Sequence, residues 1–217
     1  MTTTLTQTLA NYKAAFIARV DPARVAMMEA ATDKLRASGI ERSALQVGDK
    51  APDLTLPDAN GKPVRLQNLW SKGPLVVIFY RGAWCPYCNL ELRAWQHHLT
   101  ALKERGGSLV AISPQTPDNS LSTIEKNELA FPVLSDSSLI VSSAFGVAFE
   151  LPPELIDLYG KVGNDLPSLN GNGRWVLPVP ATYVIDQNGQ IAWSHIDSDY
   201  RTRAEPIEVL HALDHIN

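Results

Sequence analysis

Residues 75–102 constrain the fold more than any other part of the chain. They begin with an unbroken apolar run, 75–80, rich in β-branched and aromatic residues, which is typical of a strand buried on both faces of a sheet. A short turn and the sequence Trp84-Cys85-Pro86-Tyr87-Cys88 follow, and then apolar residues recur every three or four positions. The pattern predicts a strand, a turn and a helix, with both cysteines at the N-terminus of the helix.

This position favours a reactive dithiol. A helix N-terminus presents unpaired N–H groups and a positive dipole end, which stabilise a thiolate. Pro86 suits the first helical position, so we expect Cys85 at or near the N-cap with its sulfur outward. Cys88 lies three residues further on the same helix face, within the Cα separation of roughly 4.4–6.8 Å that a disulfide needs. Thiol pKa values in such settings fall from about 8.5 to about 3.5–7.5, so Cys85 is expected to be largely thiolate at neutral pH.

Composition narrows the class of protein. The 217 residues, 45% hydrophobic and 19% charged, fit one large globular domain, or one domain with an appendage. A net charge of −4 gives no basic surface for nucleic acid. Two cysteines spaced as C-x-x-C indicate a redox pair in a reducing compartment, so we expect a cytoplasmic protein. No apolar stretch approaches the ~20 residues of a membrane span, so no membrane partner is expected.

The N-terminal region is predicted to be helical. Residues 4–38 show apolar residues at helical spacing, with a break and cap at Asp21-Pro22 and an end at Ser38-Gly39. Such a stripe most often packs against the rest of the chain, and the alternative is a subunit interface, for example in a homodimer.

The remainder alternates strands, helices and turns. Asp58-Ala59-Asn60-Gly61 predicts a hairpin turn, and residues 147–179 form an insertion rich in Pro and Gly, which is typical of a lid, a specificity loop or an interface. The other expected elements are a strand at 109–113 joined to the first by a right-handed parallel crossover, a helix at 120–129, a short connection at 131–136, a short helix near 155–159, a strand leading to the Asn188-Gly189 turn with a return strand at 191–193, and a C-terminal helix at 204–216.

Two segments carry a family resemblance. FYRGAWCPYCNLEL resembles the active-site loop of the peroxiredoxin-like AhpC/TSA proteins in the thioredoxin-like superfamily, and VGDKAPDLTLPDANGKPVRLQNL is similar to the opening of those proteins. The resemblance implies an α/β fold of the thioredoxin-like, peroxiredoxin type, with a central mixed sheet flanked by helices. We therefore expect an N-terminal helical extension at 1–44 and a thioredoxin-like domain at 45–217, with the insertion at about 147–179.

The same resemblance suggests roles for residues near the dithiol. It aligns Cys88 with the peroxidatic cysteine, Cys85 with the preceding threonine and Arg81 with the proline before it, while Glu91 matches the glutamate of the family pattern. The family's second landmark, an arginine before the strand that ends at Asp186, is replaced by Pro180. Arg81 could supply the missing charge, and the alternatives for it are an ion pair with Glu91 or a place on the surface.

A substrate groove is expected around the two sulfurs. CPYC is similar to the dithiol of glutaredoxins, Trp84 resembles the tryptophan before the first cysteine of thioredoxins, and Pro180 matches their cis-proline. Trp84, Pro86 and Tyr87 are expected to wall the groove, and Pro180 to face the dithiol and limit metal capture. No second C-x-x-C exists, so we expect no metal and no cofactor.

Three functions remain open from the sequence. The leading one is an antioxidant thiol oxidoreductase that reduces hydroperoxides through a Cys85/Cys88 disulfide cycle, with electrons from a thioredoxin or glutathione system. The second is a thioredoxin- or glutaredoxin-like disulfide reductase. The third is a non-catalytic protein whose interactions respond to oxidation of the dithiol. By expected exposure Cys85 would attack disulfides, and by alignment Cys88 would attack peroxide.

Overall fold

The chain folds around one five-stranded mixed β-sheet that helices flank. The structure is a computed structural model and describes residues 3–216. In chain order its elements are α1 Leu5–Ile17, α2 Pro22–Ala37, α3 Ile40–Ser43, β1 Thr55–Pro57, β2 Pro63–Arg65, α4 Gln67–Trp70, β3 Leu75–Phe79, α5 Pro86–Glu104, β4 Ser108–Ser113, α6 Pro117–Asn127, β5 Val133–Ser135, α7 Ile140–Ala144, β6 Ala148–Glu150, α8 Pro153–Lys161, α9 Leu166–Asn170, β7 Val176–Pro178, β8 Ala181–Ile185, β9 Ile191–Ile196 and α10 Pro206–Leu213.

Strand β3 lies in the middle of the sheet, whose order is β5-β4-β3-β8-β9. It runs parallel to β4 and antiparallel to β8, so that Val77 faces Val110 on one side and Tyr183 on the other. β5 is parallel to β4, and β9 is antiparallel to β8. All five residues of β3 are fully buried, which explains why its sequence is apolar without alternation. The predicted thioredoxin-like fold with a mixed sheet is confirmed.

The side chains of β3 alternate between two hydrophobic cores. Val76 and Ile78 pack in the core that contains the apolar stripe of α5, including Leu92 and Trp95. Leu75, Val77 and Phe79 pack in the core on the other face. The strand and the helix that carry the dithiol are therefore fixed by burial on both sides of the sheet, which holds the start of α5 in place.

The N-terminal helices form as the sequence predicts. Asp21 caps α2 by accepting a hydrogen bond from the N–H of Ala23 at 2.8 Å, and the helix ends before Gly39, whose φ is +79°. Leu5 and Leu9 of α1 are buried in the same core as α5, so the predicted packing of the apolar stripe is confirmed. The division into an extension at 1–44 and a domain at 45–217 stays a prediction.

Two predictions about the second half of the chain were incomplete. The expected connection at 131–136 contains β5, a three-residue edge strand parallel to β4, which is too short to show a periodic pattern. In the insertion, β6 and β7 pair antiparallel, with Ala148 opposite Pro178, and they enclose α8 and α9. Only the helix near 155–159, now α8, was predicted there.

The predicted turns are confirmed, but the helix expected at 120–129 is α6, which begins and ends earlier, at Pro117 and Asn127, and one residue of α10 is misplaced. The turn at 58–61 joins the antiparallel strands β1 and β2, and the Asn188-Gly189 turn joins β8 to β9. In α10, Leu210 and Leu213 are buried, but Ile207 is 45% exposed and Val209 takes its place in the core. Within residues 3–216 no helix is both long enough and apolar enough to cross a membrane.

Candidate active site

Cys85 is the N-cap residue of α5, as the sequence predicts. The chain leaves β3 at Phe79 and turns through Gly82, and the N–H of Cys85 donates a hydrogen bond of 3.0 Å to the carbonyl of Gly82. Ala83 is held on both sides: its N–H donates to Gln115 at 2.7 Å, and its carbonyl accepts from the Asn89 amide at 2.8 Å. This bonded turn fixes where the cysteine lies at the end of the helix.

Replacing Gly82 by alanine is expected to destabilise this turn. Gly82 has a φ of +146°, and a Cβ atom there would lie 2.5 Å from Nε1 of Trp84. We expect a loss of about 1–3 kcal/mol in the free energy of unfolding, because backbone strain and a steric clash add. Urea unfolding measures it. Gly160→Ala in α8 is the matched control, since its Cβ meets nothing within 4 Å and alanine favours a helix. The prediction is contradicted if Gly82→Ala is no less stable than this control.

Both sulfurs are buried, contrary to the expected outward position of Cys85. Cys85 is 1% exposed and Cys88 is fully buried. Side chains from α1, α2 and α8, all distant in sequence, cover the start of α5 and leave a cavity of about 120 Å³ beside it. Cys85 lines this cavity and Cys88 does not. A small molecule that enters the cavity therefore meets Cys85 first.

The pKa values of the two thiols are shifted in opposite directions. Burial opposes the thiolate of Cys85, but a hydrogen bond from the Cys88 thiol and the charges of Arg81 and Arg203 outweigh burial and lower the pKa of Cys85 to about 6. Burial and the thiol's hydrogen bond to Cys85 raise the pKa of Cys88 well above its usual range. The two thiols therefore titrate as one coupled pair, and the lowered pKa of Cys85 favours the thiolate on the cysteine that lines the cavity.

Arg81 is buried in a cage of aromatic rings. Its guanidinium lies 4.9 Å from the ring centre of Trp84, 5.5 Å from Tyr159 and 4.2 Å from Tyr200, and it donates a hydrogen bond to the hydroxyl of Tyr159. Only 4% of Arg81 is exposed, so the alternative of a surface charge is wrong. The alternative of an ion pair with Glu91 is also wrong, because Glu91 pairs with another arginine.

That other arginine, Arg203, was missed by the sequence analysis. Its Nε donates to Glu91 at 2.6 Å, and its Nη2 lies 3.4 Å from the sulfur of Cys88. Burial raises the pKa of Glu91 to about 7, although the charge of Arg203 lowers it. Arg203 follows β9 and is far from the dithiol in sequence, so spacing could not reveal it. The only feature of the sequence that could have pointed to Arg203 is its position between a polar turn and the apolar helix α10.

The expected groove residues divide between two cavities. Trp84, Pro86 and Tyr87 line the cavity of Cys85, as predicted. Pro180 instead lines a neighbouring cavity of about 190 Å³. The peptide bond before Pro180 is not cis, since residues 3–216 contain no cis peptide bond. Pro180 therefore differs from the cis-proline of thioredoxins in the geometry of the peptide bond that precedes it, and the predicted match is wrong.

Fold and site together define a class of protein. A C-x-x-C pair at the N-terminus of the helix that follows the central strand of a thioredoxin-like sheet, with one thiol of lowered pKa, is the site of a thiol oxidoreductase. In the part of the chain that the structure describes, no group of three or more His, Cys, Asp or Glu side chains could hold a metal ion.

Comparison with known proteins identifies the family. The model of the AhpC/TSA family matches residues 47–194, and the chain belongs to this family. A Mycobacterium tuberculosis protein named "Putative peroxiredoxin" is 31% identical over 147 residues, which are 68% of this chain and 82% of that protein. "Thiol-disulfide oxidoreductase ResA" of Bacillus anthracis is 30% identical over 56% of this chain and 70% of its own length. The crystal structure of peroxidoxin BcpB from Mycobacterium tuberculosis superposes with a TM-score of 0.64 and 26% identity, covering 80% of this chain and 99% of that one.

Proposed function

We propose that this protein reduces hydroperoxides, with the Cys85 thiolate as the attacking group and Cys88 as the resolving thiol. The observation that carries the proposal is that Cys85, the thiol whose pKa is lowered, lies on the wall of a cavity that the Arg81 guanidinium also lines. The thiolate attacks one peroxide oxygen, the O–O bond breaks, and the second oxygen leaves as an alcohol or water after protonation. Cys85 becomes a sulfenic acid, which Cys88 attacks to form the disulfide and release water.

The choice of Cys85 departs from the family alignment, which places Cys88 at the attacking position. Cys88 is fully buried, does not line the cavity, and has a raised pKa. The neighbouring Arg81 has a fixed positive charge and lines the same cavity. It supports the reaction by favouring the thiolate of Cys85 and the developing charge on the leaving oxygen.

The rate of peroxide consumption should follow the ionisation of Cys85. Because only the thiolate attacks, and the pKa of Cys85 is about 6, the second-order rate constant of the reduced protein should rise as pH increases through about 6 and level off above about 7. Stopped-flow tryptophan fluorescence would follow the reaction, because Trp84 adjoins the dithiol. A rate constant at neutral pH no greater than that of a simple thiol would contradict the proposal.

A disulfide reductase is the second candidate. It is favoured by the CPYC sequence and by the relative named thiol-disulfide oxidoreductase. The burial of both sulfurs argues against large protein substrates. This candidate would be favoured if the protein turned over a small disulfide but reacted with peroxide no faster than a simple thiol does. If the protein turned over neither substrate, a redox-responsive interaction protein would be favoured.

Three companion predictions concern the setting of the reaction. The disulfide needs a thiol-type reductant to close the cycle. A homodimer stays a prediction, and light scattering after gel filtration would check it. Leu5 and Leu9 of α1 pack on their own chain, so this apolar stripe does not itself require a partner subunit. The cytoplasmic location, inferred from cysteine usage, stays a prediction for cell fractionation.

A further inference from the structure

The cavity beside Cys85 is positively charged. Arg24 of α2 and Arg81 both line it, whereas no Asp or Glu is among its lining residues. The Nε atom of each arginine is buried without a hydrogen-bond acceptor. Within residues 3–216, neither guanidinium forms an ion pair with a carboxylate. Two arginines therefore line one cavity, each with a buried Nε–H group that has no acceptor.

The charge balance of this cavity depends on the redox state of the dithiol. Arg81 is almost fully buried, and a buried cation without a counter-charge is unfavourable. In the reduced protein the thiolate of Cys85 supplies that counter-charge. The disulfide carries no charge, so Arg24 and Arg81 are least compensated in the oxidised protein. An anion should bind best in that state, which is the state that a reductant meets.

We propose that this cavity binds a low-molecular-weight thiol that carries carboxylates, and that this thiol, not a protein dithiol, reduces the Cys85–Cys88 disulfide. Arg24 and Arg81 bind its carboxylate groups. The inference rests on the disulfide cycle of the proposed function and names its electron donor. It also assigns a role to Arg24, which lies in the N-terminal helices, outside the segments that resemble the family.

The cover over the dithiol favours a small donor. Tyr12 of α1 packs edge-on against Tyr87 with ring centres 5.1 Å apart, and Met28 of α2 and Leu158 of α8 line the same cavity. A protein donor must bring its own sulfur into bonding contact with Cys85, and only 1% of Cys85 is exposed under this cover.

A small thiol has more room than this one space. The cavity of about 190 Å³ next to it shares four lining residues with the cavity of Cys85: Met28, Arg81, Tyr159 and Tyr200. Arg81 therefore borders both spaces, so a donor held at Arg81 lies next to Cys85 on one side and next to the second cavity on the other.

The reduction uses two donor molecules. The first donor thiolate attacks the sulfur of Cys85, the Cys85–Cys88 bond breaks, and the electron pair stays on Cys88, which takes up a proton because its pKa is high. A second donor thiolate attacks the donor sulfur of the mixed disulfide. Cys85 leaves as the thiolate, and the two donors, oxidised together by two electrons, depart as a disulfide.

The test compares glutathione with its diethyl ester, which has the same thiol but no carboxylate charge. The protein is oxidised with diamide, and its reduction is followed by stopped-flow tryptophan fluorescence. At low ionic strength we expect glutathione to reduce the disulfide at least about tenfold faster than the ester does. This difference in rate should fall as salt screens the charges. Arg24→Met should remove most of the advantage. Arg36→Met, on the same helix but paired with Asp33 outside the cavity, should keep it.

Three results would overturn the inference. These are equal rates for glutathione and its ester, an advantage that Arg24→Met leaves intact, and faster reduction by a thioredoxin than by glutathione at equal concentration. Because the ester comparison uses the unaltered protein, a variant that does not fold leaves the test in place. Diamide forms the disulfide without peroxide, so failure of the peroxidase proposal is seen separately, as a slow peroxide reaction with the glutathione advantage preserved.

Discussion

Replacing Cys85 by serine is expected to lower the second-order rate constant for peroxide consumption by at least about a thousandfold, because the alcohol does not ionise near neutral pH and is a poor nucleophile. Cys88 cannot compensate, since it is fully buried, does not line the cavity and has a raised pKa. The measurement is stopped-flow fluorescence of the reduced variant with hydrogen peroxide at neutral pH.

Cys88→Ser is the matched variant, because serine keeps a donor for the hydrogen bond to the Cys85 thiolate. Its first attack on peroxide should stay within about tenfold of the unaltered protein. The product should differ: without a resolving thiol, mass spectrometry should find Cys85 carrying added oxygen instead of a disulfide. If Cys88→Ser abolished the peroxide reaction and Cys85→Ser preserved it, the attacking cysteine would be Cys88, as the family alignment places it.

The strand and helix that carry the dithiol could be predicted because their signals are local. β3 has an apolar run that only burial on both faces explains, and α5 has an apolar stripe at helical spacing. Pro86 marks the start of the helix, which places Cys85 at the N-cap. Neighbouring residues decide each of these features, and no distant contact is needed to produce them.

The burial of the dithiol could not be predicted because it depends on distant segments. α1 and α2 precede Cys85 by about fifty residues or more, and α8 follows it by a similar distance, yet their side chains together close the cavity. The apolar residues of these helices predict that they pack, but not against which surface. The sequence therefore indicates an exposed thiol at a helix end, where the structure has an enclosed one.

The ion pair beneath Cys88 is another long-range feature. A single sequence shows Glu91 three residues after Cys88, but its partner Arg203 lies 112 residues away from Glu91. The nearer Arg81 was considered as a partner, and the aromatic cage holds it elsewhere. Charge pairs across a fold leave no periodic signal, so only the three-dimensional structure assigns them.

Replacing Arg203 by methionine is expected to cause the largest loss of stability. Arg203 and Glu91 are buried, and removing one partner leaves a buried carboxyl group without its counter-charge. Breaking a buried pair in this way costs about 3–5 kcal/mol. Arg203 also donates to the carbonyl of Tyr200, so the loop that places Tyr200 over Arg81 loses an attachment. Urea unfolding of the reduced protein measures the loss.

The loss should depend on pH through Glu91. The pKa of Glu91 is about 7 beside Arg203, and without that charge it rises further, because burial is then less opposed. Protonated Glu91 needs no counter-charge, so the variant should lose less stability at about pH 5.5 than at about pH 8, where the unaltered protein holds a carboxylate that the variant cannot stabilise. Adding Glu91→Gln to Arg203→Met should remove this pH dependence and restore part of the stability at the higher pH.

Arg105→Met provides the control, since Arg105 pairs with Asp214 at 2.8 Å but both side chains are substantially exposed. Water and salt screen such a pair, so the urea midpoint of this variant should move little and equally at both pH values. If Arg203→Met moved the midpoint no more than Arg105→Met, or by the same amount at both pH values, Glu91 would not depend on Arg203 for its charge. The support for Cys88 would then lie in the packing of α5 against the sheet, where Leu92 and Trp95 are fully buried.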